Sequence, residues 1–167
     1  MVQLLISDTN ILIDMEEGQL IDLMFQLPYQ FSTPDILYYE ELEEEHDHLR
    51  DLGLTISELE SETMMHANAN LMPRYKGASR NDCLALALAA QEGCPLLTGD
   101  KALRQAASDE AVIVMGTLWI VEQLIRQGLL SFDDARAAYA RMEASGRRLP
   151  WPRAEASLIE LEAALAD

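Results

Sequence analysis

The sequence predicts an α/β fold: a three-layer α/β/α sandwich around a central, mostly parallel sheet, with extra helices at the C-terminus. Three observations carry this. Short apolar runs at residues 2–6, 29–33, 95–98 and 112–114 alternate with helical patterns as far as residue 127. The first run has almost no polar break, which suits a strand buried on both faces of a parallel sheet. Beyond residue 128 the periodicity is helical only. Residues 1–127 are therefore read as the core domain, and residues 128–167 as a helical extension packed on that core or on a partner.

The elements follow in order. After the first strand, Ser7-Asp8-Thr9-Asn10 stops the apolar run, and a short helix with Ile11, Leu12 and Met15 begins at once. Gly18 interrupts it, and a further helical turn carries Leu20, Leu23 and Met24 to Pro28. The second strand ends at Thr33, and Pro34 opens a helix, where its missing N–H costs nothing. Residues 54–56 read as a short extended piece, and residues 60–71 as a helix ended by Pro73. A basic loop, Arg74-Tyr75-Lys76-Gly77-Ala78, leads to Ser79-Arg80-Asn81-Asp82, which has the form of a capping box. The following Cys83 to Ala90 helix is apolar nearly all round and hence buried. The third strand ends at Gly99-Asp100, and a short helix with Leu103 and Ala106 follows. The fourth strand leads to a helix opened by Thr117 and ended by Gly128. Ser131 caps a helix that Gly146 stops. Residues 147–152 form a linker, and a last helix bears Leu158, Ile159, Leu161 and Leu165.

The 167 residues suffice for one domain with a real core, and 49% of them are apolar. No apolar run approaches the ~18 residues of a membrane span, so the expected location is the cytoplasm, with no membrane contact. Cys83 and Cys94 are too far apart in sequence for a CxxC metal pair and are expected to be buried, reduced thiols. His46 and His48 lie beside four acids, but residues two apart on a helix do not face each other; a solvated face is expected there. The formal charge of −17 repels nucleic acid at long range. Residues 1–49 contain no Lys or Arg, whereas Arg74, Lys76, Arg80, Lys101 and Arg104 cluster in the middle of the chain. Any polyanion is expected to meet the protein there.

Parallel strands bring their carboxyl ends to one edge, where open α/β sheets bind ligands. Asp8 and Asp100 should converge at that edge, and Asp82 and Glu40 can join them. Each acid has a plain structural alternative as a helix cap or a solvated side chain. Two carboxylates ~4 Å apart repel by about 4 kcal/mol at an effective dielectric of 20. Gathering three or four therefore calls for raised pKa values or a bound cation. Hard oxygen ligands suit Mg²⁺ or Mn²⁺.

These residues resemble a known family. Leu-Ile-Ser-Asp8-Thr-Asn10, Pro34-Asp-Ile-Leu-Tyr-Tyr-Glu40, Asn81-Asp82 before an Ala/Leu-rich helix, and Leu-Leu-Thr98-Gly-Asp100-Lys-Ala-Leu-Arg104 look like the four acidic motifs of PIN-domain nucleases, over about residues 2–127. The resemblance implies an endoribonuclease dependent on Mg²⁺ or Mn²⁺, with Asp8, Glu40, Asp82 and Asp100 as its acidic quartet. Asp8, Asp82 and Asp100 would be the chief metal ligands. One residue of slippage exchanges Glu40 for Glu41. Asn10 and Thr98 match polar positions near the family's site. Arg74, Lys76, Arg80 and Lys101 are the candidates for contacts to substrate phosphates. Many bacterial members are VapC-like toxins neutralised by an antitoxin protein, so an antitoxin is an expected partner besides RNA, and a homodimer is a further assembly to consider.

Two other readings compete. A haloacid-dehalogenase-like phosphatase also begins with an Asp after its first strand, but it needs a second Asp where this chain has Asn10. A non-catalytic protein could keep the fold and bind a partner through its C-terminal helices.

Overall fold

The computed structural model describes residues 2–166. Five parallel strands form one sheet in the order β3-β2-β1-β4-β5. They are β1 (Gln3–Ser7), β2 (Tyr29–Pro34), β3 (Thr55–Ser57), β4 (Leu96–Leu97) and β5 (Val114–Met115). The short extended piece at residues 54–56 thus becomes an edge strand, paired with β2 through Ser32–Thr55 and Thr33–Ile56. Strand β1 is central, flanked by β2 and β4, which is why Leu5 and Ile6 are fully buried. The connections run outward in opposite directions from β1, so a crevice opens at the carboxyl ends of β1 and β4.

Helices cover both faces. One layer centres on the Arg80–Glu92 helix, whose residues Cys83 to Ala89 are all buried. Segments 35–46 and 61–74 and the Lys101–Asp109 helix pack around it. The other layer holds Thr9–Glu17, Thr117–Arg126, Phe132–Ala144 and Trp151–Leu165. Pro73 does not end the helix before it; the chain passes through a π-helical turn at Ala67–Leu71 and continues to Arg74, with Pro73 in the first turn of the last piece, where no N–H is needed.

The C-terminal helices belong to this second layer. Gly18 lies so close to Met142 that a Cβ there would meet the methionine Cε at 2.5 Å. Arg141 donates from Nε and Nη2 to the Gly18 carbonyl, at 3.1 and 2.7 Å. In the last helix Ala154, Leu158 and Leu161 form the buried stripe, at the i, i+4, i+7 spacing of one face. Each leucine buried is worth about 1.5–3 kcal/mol. Trp151 adds an edge-to-face contact with Tyr139. Ile159 and Leu165 are off that stripe and about half exposed, so the apolar side is narrower than the sequence suggested.

Candidate active site

Three helices start at the carboxyl edge of the sheet: Asp8 and Asp100 cap two of them, and Asp82 is the third residue of the helix that Ser79 caps. Asp8 Oδ1 accepts the Ile11 N–H at 3.0 Å. Asp100 Oδ1 accepts the Leu103 N–H at 2.8 Å. Asp82 Oδ2 accepts the Ser79 N–H at 3.0 Å, while Ser79 Oγ accepts the Asp82 N–H, closing the predicted capping box. The plain alternative for each acid is therefore real. It does not exclude a second role, because a cap occupies one carboxylate oxygen and fixes the direction of the other. Helix N-termini also favour negative charge nearby.

Backbone pairing brings Asp8 and Asp100 together. The Asp8 N–H donates to the Leu97 carbonyl at 3.1 Å, and the Thr98 N–H donates to the Met115 carbonyl at 2.9 Å. Thr98 is buried and links the two acids: its hydroxyl donates to Asp8 Oδ2 at 2.5 Å and accepts the Asp100 N–H at 3.1 Å. Asp8 is only 2% exposed. Burial pushes its carboxyl up to about 6. The Thr98 hydroxyl and the Ile11 N–H pull it down, and the negative charges of Asp82 and Asp14 push it up again.

Glu40 lies in a π-helical turn, Tyr38–Leu42. It is exposed, and it meets the Asp82 helix through two residues. Glu40 Oε1 pairs with Arg80 at 3.4 Å, and Glu40 Oε2 accepts from Asn81 Nδ2 at 3.0 Å. The same amide donates to Glu41 Oε2 at 2.7 Å, so both neighbours reach Asn81. Asn81 Oδ1 is buried with no donor among the described residues.

The other candidates divide. Thr98 sits inside the site. Asn10 is at its rim, with Oδ1 accepting from Arg147 Nη2 at 3.2 Å. Lys101 opens the helix that Asp100 caps. Lys76 is exposed on the basic loop, which passes Ala102 at Gly77. Arg74 is held elsewhere: it pairs with Glu110 at 2.8 Å, beside Tyr75, whose hydroxyl also donates to Glu110. Glu110 lies at the far end of the Lys101–Asp109 helix, about 15 Å along its axis from Asp100.

The sequence reading missed Asp14 and Arg147. Asp14 Oδ1 accepts from Arg147 Nε at 2.7 Å, and Asp14 Oδ2 accepts from the Thr117 hydroxyl at 2.8 Å. One signal was present, since Asp14 interrupts the apolar face of Ile11, Leu12 and Met15. Arg147 offered none, because it lies in a stretch that reads as a linker. Asn10, Asp14, Asp100, Arg147 and Arg148 line a cleft of about 360 Å³.

The His46 and His48 ring centroids lie 6.2 Å apart, tilted at 46°, on either side of Asp47, which joins two short helices. Both rings turn to Glu16, at 3.0 and 2.7 Å. Cys83 and Cys94 are free and buried, and burial pushes both thiols up, Cys94 to about 11.

The donor set fits a hard divalent cation in kind. Asp82 Oδ1 and Asp100 Oδ2 accept no hydrogen bond among the described residues, and Asn81 Oδ1 is an orphaned buried acceptor. Its placement is open rather than closed: among the described residues, no three His, Cys, Asp or Glu side chains are grouped tightly enough to hold a metal.

A parallel α/β/α sandwich with Asp8 and Asp100 joined through Thr98 at its switch point is PIN-like. The sequence model of a PIN-domain family matches residues 4–162, and the chain belongs to that family. The match runs on through the Phe132–Ala144 helix and into the Trp151–Leu165 helix. PIN domains are generally nucleases, commonly bind nucleic acid and generally use divalent metal ions. Among solved structures, the chain is similar to a PilT N-terminus domain protein from the hyperthermophilic archaeon Sulfolobus solfataricus P2. The two share 9% identity, the likeness covers 71% of this chain and 90% of that one, and the TM-score is 0.48. No curated protein matches the sequence. Among the described residues, no helix is long and apolar enough to cross a membrane.

Proposed function

We propose that the protein is a metal-dependent endoribonuclease that works through Asp8, Asp82 and Asp100, with Glu40 at the edge of the site. The observation that carries this is the Asp8–Thr98–Asp100 linkage at the sheet's switch point, with Asp82 close enough for its charge to raise the Asp8 carboxyl. The three aspartates would hold Mg²⁺ or Mn²⁺. The chemistry supplied by that ion, when bound, is neutralisation of charge on the phosphodiester and acidification of a water. The caps orient the carboxylates, and Thr98 keeps Asp8 turned toward its neighbours. Water attacks the phosphorus, the bond to the 3′ oxygen breaks, and that oxygen takes a proton. The products are 5′-phosphate and 3′-hydroxyl ends, with no covalent enzyme intermediate. Residues 128–167 act with residues 1–127 in this reading, since Arg147 reaches Asn10 and Asp14.

The test is incubation of the protein with end-labelled single-stranded RNA and Mg²⁺ or Mn²⁺. Internal cleavage that EDTA stops, and that Asp8→Asn and Asp100→Asn abolish, supports the proposal. Intact RNA under every metal condition overturns it. One observation favours a second reading as a non-catalytic partner-binding protein, namely the lack of a closed three-ligand group among the described residues. Intact RNA would favour that reading. A toxin role is a finer proposal, supported by a small partner gene directly upstream and by co-purification of its product; neither being found would remove it.

A further inference from the structure

The chain carries 12 Lys and Arg against 29 Asp and Glu. A nuclease with that balance needs a local positive track, because bulk charge drives its substrate away. Two clefts meet at Gly99. The first, of about 360 Å³, is walled by Asp100 on one side and Arg147 and Arg148 on the other. The second, of about 640 Å³, continues past Lys101 and Arg104 and has Pro150 on its far wall. Segment 146–150 thus flanks both clefts, and Gly99 is their common floor. A Cβ at Gly99 would meet nothing within 4 Å, so the floor is open.

The cations along this path have different roles. Arg147 is committed: it pairs with Asp14 at 2.7 Å and donates to the Asn10 carbonyl and side chain at 3.3 and 3.2 Å. Those contacts neutralise Asp14 and pin the segment against the first helix. Arg148 is exposed beside it. Arg148, Lys101 and Arg104 make no ion pair among the described residues, whereas Arg74, Arg80, Arg126 and Arg136 all do. Three unpaired cations along one groove, ending at Asp100, match the charge of a phosphodiester backbone laid toward the carboxylates.

We infer that this groove binds the phosphate backbone of single-stranded nucleic acid, with Arg148, Lys101 and Arg104 as phosphate contacts and Arg147 as the residue that positions Arg148. The inference rests on the nuclease reading for the direction of the track, but binding is tested apart from cleavage. The experiment measures fluorescence anisotropy of a labelled single-stranded RNA 20-mer in EDTA, titrated with the full-length protein at several salt concentrations. Arg148→Ala and the double variant Lys101→Ala/Arg104→Ala should bind several-fold more weakly. The slope of log affinity against log salt should fall by roughly 0.7 for each contact removed. Arg148→Lys should recover most of the loss, and Arg126→Ala should bind as the unaltered protein does. Thermal unfolding of Arg148→Ala should be unchanged, since the side chain is exposed and unpaired. Variants that bind with the original affinity and slope overturn the inference even if the protein cleaves RNA. Binding that weakens as stated in a protein that never cleaves leaves the groove standing and removes the nuclease reading. Absence of RNA binding by the unaltered protein also overturns the inference.

Discussion

The Thr98 hydroxyl donates to Asp8 Oδ2 at 2.5 Å across 90 residues of sequence. A hydrogen bond to the charged form of an acid favours that form. Thr98→Val therefore moves the Asp8 titration upward from about 6. It also strands the Asp100 N–H that the same oxygen accepts, and the lost partners cost about 1–3 kcal/mol. Carbon-detected NMR of the aspartate carboxyls would report the titration, and an unmoved Asp8 signal would contradict the coupling.

Asp8 binds its proton more tightly in the folded protein than in the unfolded chain, at about 6 against 3.8. Between those values the native state carries more protons, so this contribution to stability is full below the lower value and is lost as pH rises through the upper one. The whole effect is on the order of 3 kcal/mol. Asp8→Asn removes it, so the stability difference between variant and original should grow in the variant's favour as pH rises. Urea unfolding in EDTA across that range checks this; a difference that stays flat with pH sinks it.

A cation held by Asp8 requires the ionised carboxylate, so metal affinity should rise with pH through about 6. At a Mg²⁺ concentration 100 times its dissociation constant, binding adds about 2.7 kcal/mol to stability. Asp100→Asn should unfold like the original without metal, because Asn caps a helix about as well as Asp, and Asp82→Asn should be no less stable, because it keeps an acceptor for the Ser79 N–H and removes a charge that acts against Asp8. Both should lose most of the Mg²⁺-induced shift in thermal unfolding. A full shift in either variant would remove that residue from the metal set.

Arg147→Ala leaves Asp14 without its cation, with Thr117 as its remaining donor. The Asp14 side chain is 10% exposed, so the loss should approach the low end of a broken buried pair, about 2–3 kcal/mol. Arg147→Lys should recover part of it. Equal stability of Arg147→Ala and the original, measured by chemical denaturation, would show that the C-terminal segment is not tied to the first helix as described.

Glu40 and Glu41 both accept from the Asn81 amide. Glutamine at either position keeps an acceptor and removes the charge. If Glu40 completes the quartet, Glu40→Gln should cut RNA cleavage at least tenfold while Glu41→Gln changes it little. The reverse result exchanges the two residues, and two fully active variants remove both from the site.

Much of the fold was legible because its signals are local. The continuous apolar run of β1, the Ser79 and Ser131 caps and the all-apolar helix after Asp82 depend on residues within a turn or two of one another. The convergence of Asp8 and Asp100 followed from one non-local rule, that parallel strands share a carboxyl edge. Edge strand β3 is barely visible in sequence because its pairing with Ser32 and Thr33 supplies the order its three residues lack. The bond from Arg147 to Asp14 spans 133 residues and follows from how the Phe132–Ala144 helix seats against Gly18. No periodicity encodes that seating, so an arginine in an apparent linker becomes the wall of a cleft. What the sequence alone determined was which residues prefer strand, helix and cap, and that Asp8 and Asp100 share one edge. Only the tertiary structure decided which cations are consumed by ion pairs and which remain unpaired, because pairing depends on distances that chain order does not set.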